Sequence, residues 1–222
     1  MREVNFVILH HSATDYKLDE ADKSGERIAE AICRRARERW KAEYPNYECD
    51  YHFLVGRTGK VFKGQPVGQP AWHATNYEVN LRSIGVCFLG NFQYMQMPIE
   101  QFSAGARLVK KLMKQYGVEL KNVLRHKDVV SDLTHRANST LCPGKNFPFI
   151  PMLDSLRNGE PFFDISEDYP YIKEVKYLKA KGVIKGDGRG YLRPGDFITR
   201  EEAMLIAYRV MRAKGKIEIW FL

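Results

Sequence analysis

The run Ser83–Phe92, "SIGVCFLGNF", constrains this chain more than any other feature. Its apolar residues are nearly continuous rather than alternating. The strand it predicts must therefore be covered on both faces, as in the middle of a layered sheet. Residues 4–9, "VNFVIL", read as a second buried strand, ending at His10 and His11. "YHFLVGRTGKVFKG" predicts two strands around a turn at Arg57–Gly59, and "NVLRH" a short strand that ends at His126. Between these lie helical patterns. From Ser24 to about Glu43, Ile28, Ile32 and Trp40 share one face and Arg and Lys occupy the other. Residues 99–116 repeat the pattern through Phe102, Val109, Leu112, Met113 and Tyr116, and Gly117 stops it. Strands alternating with long helices predict an α/β class, a mixed central β-sheet flanked by helices.

"RNGEP", near residues 157–161, breaks the pattern and predicts a linker, dividing the chain into 1–157 and 158–222. The second part predicts a small helical module. One helix, about 170–181, buries Ile172, Val175 and Leu178 and ends at Gly182. Another starts at Thr199, where "TREE" places Glu202 for a capping box, and Ala203, Ile206, Ala207 and Val210 form its apolar face. A module this small has little core of its own and should lean on the first domain, on its own copies, or on both.

The net charge of +8 points to anionic partners, either nucleic acid or anionic glycopolymers. Lys and Arg are scattered and no nucleic-acid motif is present, so nucleic acid is not expected as a partner. No apolar run reaches about 18 residues, so membrane insertion is not expected either. The N-terminal apolar run is too short for a secretion signal, which predicts synthesis in the cytoplasm without one. On that expectation a disulfide framework is a poor default for the four cysteines. Cys33, in a helical pattern, and Cys87, in an apolar run, read as buried thiols, and Cys49 has no obvious role. Cys142 differs, because "TLCPG" is a polar, turn-prone setting that suits a ligand.

A catalytic zinc site uses three protein ligands of imidazole, thiolate or carboxylate type and keeps one position open. His10 and His126 lie at strand ends and Cys142 in a later loop, so one sheet edge can gather all three. Periodicity alone supports this weakly, since a histidine at a strand end is more often a satisfied polar residue. No "HExxH" helix, paired "CxxC" or "GxSxG" elbow is present.

The local words carry more. "VILHHSAT", "YHFLVGRTGKVFKG", "WHATNY", "NLRSIGVCFLGNF", "RHKDV" and "TLCPGKNFP" follow one another in this order. Over roughly residues 1–155 they resemble the N-acetylmuramoyl-L-alanine amidase family, which includes bacteriophage amidase-type lysins and animal peptidoglycan recognition proteins. The resemblance implies a zinc ion (Zn2+) held by His10, His126 and Cys142, with His11 at a variable position. It implies Tyr51 and Thr140 as catalytic residues facing a tetrahedral oxyanion, and His73 and Asn80 as substrate-binding residues on the groove wall. The stretch between His126 and Cys142 is longer than the family's usual loop, and His135 within it ranks below His126 as a ligand. The implied activity is hydrolysis of the lactyl–L-alanine amide of bacterial peptidoglycan, in a phage or prophage endolysin. A host autolysin, a non-catalytic peptidoglycan-binding protein and a protein with only structural zinc are the alternatives.

"FDI", "KGVIKGDG" and "RPGDFITREEA", within residues 162–211, resemble a surface-layer homology (SLH) repeat. That resemblance implies binding of secondary cell-wall polysaccharide, with Asp164 and Arg200 as candidate contacts, and action at the cell wall after release. The family usually has three such repeats and this chain has one, so a homo-oligomer formed through this module is expected.

Overall fold

Five strands form one sheet in the order β3-β2-β4-β1-β5. They are β1 (Phe6–His11), β2 (Phe53–Val55), β3 (Val61–Lys63), β4 (Ser83–Phe88) and β5 (Val123–Arg125). The computed structural model describes residues 2–14, 24–130, 140–158, 162, 165, 169–187 and 191–213. β1 pairs in parallel with β4 on one side and with β5 on the other, β4 pairs in parallel with β2, and only β2–β3 is antiparallel. All six residues of β4 are buried, as its unbroken apolar run requires.

Side-chain alternation splits the sheet between two cores. Val7, Leu9, Ile84, Val86 and Phe88 face one core with Ala104, Val109 and Leu112 of α3 (Ile99–Tyr116) and Met152 and Leu156 of α4 (Phe149–Asn158). Leu54 and Cys87 face the other, with Ala29 and Cys33 of α1 (Glu26–Trp40). The residues that α1 buries are Ala29, Cys33 and Ala36, while Ile28 and Ile32 flank that contact. Small side chains let this helix lie close to the sheet, which moves the buried stripe away from the Ile28–Ile32–Trp40 face. A short helix, α2 (Tyr77–Leu81), precedes β4 and is capped by the Asn76 side chain, which accepts from the Val79 N–H.

One correction concerns the cysteines. Cys33 is not a free thiol but is bonded to Cys49, in the segment that leads into β2. The packing of α1 over that segment brings the two together, a proximity that no local pattern announces. Cys87 is free and buried.

Two α3 residues tie the layers together. Buried Gln101 donates from Nε2 to the carbonyls of Val55 and Leu89, both at 2.8 Å, bridging the ends of β2 and β4. Gly105 lies against the Phe88 ring, and a Cβ there would come within 2.1 Å of Phe88 Cε1. The described helices include none long and apolar enough to cross a membrane.

The chain divides into two compact units, Met1–Arg157 and Asn158–Leu222. In the second, Phe162, Ile165 and Val175 form a small core with Ile172 of α5 (Ile172–Ala180), and Tyr169, Ile184 and Leu192 pack around it. The capping box of α6 (Arg200–Ala213) is formed: Thr199 N–H donates to Glu202 Oε2 at 2.9 Å, and Glu202 N–H donates to Thr199 Oγ1 at 3.1 Å. The apolar face of α6 is only partly covered by described residues. Ile206 and Val210 are half-buried, but Ala203 and Ala207 are exposed, as are Met204, Leu205 and Met211.

An exposed helical Gly→Ala change normally gains about 1 kcal/mol. At Gly105 the Phe88 contact reverses the sign, and Gly105→Ala is expected to lower stability by about 1–3 kcal/mol in urea unfolding. A variant more stable than the parent would contradict the packing described.

Candidate metal centre

His10 is fully buried near the end of β1, opposite Cys87 in the β1–β4 register. Alternation along β1 sends the next side chain to the other face. There His11 Nδ1 accepts the Phe92 N–H at 3.2 Å and the ring stacks on Phe92. On the His10 face, three ligand atoms converge. One nitrogen each of His10 and His126 and the Sγ of Cys142 all lie within 4.8 Å of one another. His10 Nδ1 is 3.8 Å from the sulfur, and the His10 and His126 rings are 4.6 Å apart between centroids.

Local structure holds each partner. His126 opens a one-turn 3₁₀ segment just beyond β5, pinned by a bidentate Arg125–Asp128 pair at 2.7 and 2.9 Å. Lys127 N–H donates to the Cys142 carbonyl at 3.0 Å, joining this turn to the cysteine loop. Thr140 Oγ1 accepts the Cys142 N–H at 3.2 Å, and the His11 N–H points at the sulfur from 3.4 Å. The Thr140 hydroxyl thus shapes the turn that presents the thiol. His135 and Asp164 lie outside the described residues.

Burial governs the electrostatics. It holds His10 well below the usual imidazole range, helped by His73 and His126, and brings His126 down to about 4, helped by His11. Both rings are neutral near pH 7 and able to donate a lone pair. Burial also pushes the Cys142 thiol up to about 11, against the opposing pull of the His11 N–H. Ionising this thiol among neutral groups is unfavourable unless a cation compensates the charge. Two imidazoles and one thiol at this spacing are a donor set suited to a divalent ion of zinc's softness.

Tyr51 stands beside the cluster, its ring centroid 5.2 Å from that of His10. Burial, and then the neighbouring thiols Cys87 and Cys142, raise its pKa well above the usual value, so the phenol keeps its proton and can donate.

His73 and Asn80, expected on the substrate groove, are both buried. They are only 6% and 4% exposed, and both are committed to internal contacts. His73 Nδ1 lies 3.0 Å from His10 Nε2, and its Nε2 lies 3.1 Å from Ser83 Oγ. Asn80 accepts the Ala74 N–H at 2.9 Å and donates to the Ala74 carbonyl at 2.7 Å, locking the backbone next to His73. Behind them His52 accepts the Gly85 N–H at 3.0 Å. Burial and then the Arg2 charge hold His52 at about 3. Sequence reasoning missed Ser83 and His52. The available signal was Gly85, a glycine inside a buried strand, which marks a close approach by another group.

The sequence model described as N-acetylmuramoyl-L-alanine amidase matches residues 1–145, and the S-layer homology domain model matches residues 161–204. A peptidoglycan-recognition protein of Drosophila melanogaster is 28% identical over 145 residues, which are 65% of this chain and 70% of that protein. Its Drosophila simulans counterpart is 27% identical over 147 residues, 66% of this chain and 71% of that protein. Among solved structures, N-acetylmuramoyl-L-alanine amidase LysC from Clostridium intestinale URNW aligns with a TM-score of 0.54 at 24% identity. That alignment covers 70% of this chain and 86% of LysC, and it shows a shared fold. With the amidase model spanning most of its length, this chain belongs to the N-acetylmuramoyl-L-alanine amidase family.

Proposed function

We propose that this protein is a zinc-dependent N-acetylmuramoyl-L-alanine amidase that hydrolyses the lactyl–L-alanine amide of bacterial peptidoglycan. The observation that carries this reading is the convergence of His10, His126 and Cys142 on one point of the α1-side sheet face. Zinc held there would supply Lewis acidity toward the scissile carbonyl and acidify water. Tyr51, protonated and adjacent, donates a hydrogen bond to the oxyanion that develops on that carbonyl. Thr140, beside Cys142, is assigned a supporting place at the same oxyanion, in addition to its bond within the loop.

The second unit, through its match to the S-layer homology domain, is assigned the binding of secondary cell-wall polysaccharide, with Arg200 exposed at the start of α6. On this reading the enzyme acts at the bacterial cell wall. A phage or prophage endolysin is the preferred setting and a host autolysin the alternative. Phage lysis and structural genes beside the coding sequence would favour the first, and host wall-synthesis genes the second. The partly uncovered face of α6 supports self-association through this unit. Sedimentation at working concentration should then give a mass above that of one chain, and a strictly monomeric mass would remove the idea.

A non-catalytic peptidoglycan-binding protein is the second reading, favoured by the similarity to proteins named for recognition. Purified wall incubated with the zinc-loaded protein separates the two. Hydrolysis releases new N-terminal alanine, which should fall to background with Cys142→Ser. Tyr51→Phe should keep zinc but lose about 100-fold or more in turnover. Wall binding without new alanine from the parent protein would establish the second reading, and release of reducing sugar would defeat both.

The metal centre also has a proton signature. The Cys142 thiol, at about 11, is protonated at neutral pH and must lose its proton on binding the ion, whereas both imidazoles are already neutral. Zinc affinity should therefore rise about tenfold per pH unit from about pH 6 to about pH 8, one proton being released per ion. Competition against a chelator across that range measures it, and a pH-independent affinity would contradict the assigned ligands.

A further inference from the structure

We propose that His73 is a positioning residue for the metal centre, accepting a hydrogen bond that fixes the His10 tautomer so that Nδ1 presents its lone pair to the ion. This rests on the zinc reading above. The geometry assigns each nitrogen in turn. His10 Nδ1 faces the Cys142 sulfur at 3.8 Å and is the atom on the ligand side. A neutral ring coordinating through Nδ1 carries its proton on Nε2. That atom lies 3.0 Å from His73 Nδ1, which must then be the acceptor. His73 in turn carries its proton on Nε2 and donates it to Ser83 Oγ at 3.1 Å. Both nitrogens of both rings are used, and neither ring needs a charge.

The surroundings hold His73 in that place. Trp72 N–H donates to the Tyr47 hydroxyl at 2.7 Å on one side of it, and Asn80 clamps Ala74 on the other. Gly85 completes the fit. A Cβ there would come within 2.5 Å of His73 Cδ2, so the ring lies directly on the bare backbone of β4. Partners of this kind orient ligand histidines in metal sites, and their loss typically costs about 10–100-fold in metal affinity.

The test uses the full chain. Zinc affinity is measured by chelator competition for the parent, His73→Leu and His73→Asn. The Asn carbonyl can still accept from His10 Nε2, whereas Leu cannot. Affinity should fall about 10–100-fold in His73→Leu and return close to the parent value in His73→Asn. A folded His73→Leu that binds zinc as tightly as the parent overturns the inference. Should His73→Leu fail to fold, nitrogen-15 NMR of the zinc-loaded parent decides: protons on Nε2 of both His10 and His73 support the relay, and a proton on Nδ1 of either overturns it. A parent chain that takes up no zinc removes the metal centre itself, an outcome distinct from a metal site indifferent to His73.

Discussion

Parallel pairing of β1 with β4 on one side and β5 on the other is the constraint on which the candidate site depends. Parallel strands deliver their C-terminal ends to one edge of the sheet, so His10 at the end of β1 and His126 just past β5 arrive together. Cys87 of β4 arrives opposite His10, and the loop bearing Cys142 closes over the same edge through its bond to Lys127. Parallel ladders in turn require cover on both faces, which α3 and α4 provide on one side and α1 on the other. The fold and the cluster therefore follow from the same pairing.

Burying so many polar groups at that edge is costly unless each finds a partner. The structure meets this with a connected set rather than isolated bonds. His10 leans on His73 and His73 on Ser83, while His52 behind them takes the Gly85 amide. Arg2 reaches under the sheet to the carbonyls of Val67, Asn80, Leu81 and Ser83. Among the described residues, the ionised Cys142 thiol has the His11 N–H as a donor, and burial still opposes its charge. A divalent ion held there, as proposed above, would offset that cost.

The second unit has another balance of forces. Among the described residues its buried core is a few side chains around Phe162, and much of α6 presents apolar residues that they do not cover. A 65-residue unit of this kind gains little from its own packing. Local devices such as the Thr199–Glu202 capping box and the Arg193–Asp187 pair carry a larger share of its definition.

Local and strongly periodic features were legible beforehand. Helix α3 runs over residues 99–116 and stops at Gly117, the β2–β3 hairpin and β4 lie where their patterns put them, and the capping box at Thr199 is formed. Helix α2 has five residues, too few to show a period, and α4 carries Pro151 in its first turn, where a missing N–H costs little. By itself the sequence determined the α/β class, the central strands and the residue types able to hold a metal, because these follow from hydrophobic period and side-chain chemistry. Only the tertiary structure decided that Cys33 bonds Cys49, that α1 buries its small face, and that His73 lies against His10. Those outcomes depend on how closely elements distant in sequence approach, a distance that no local pattern encodes.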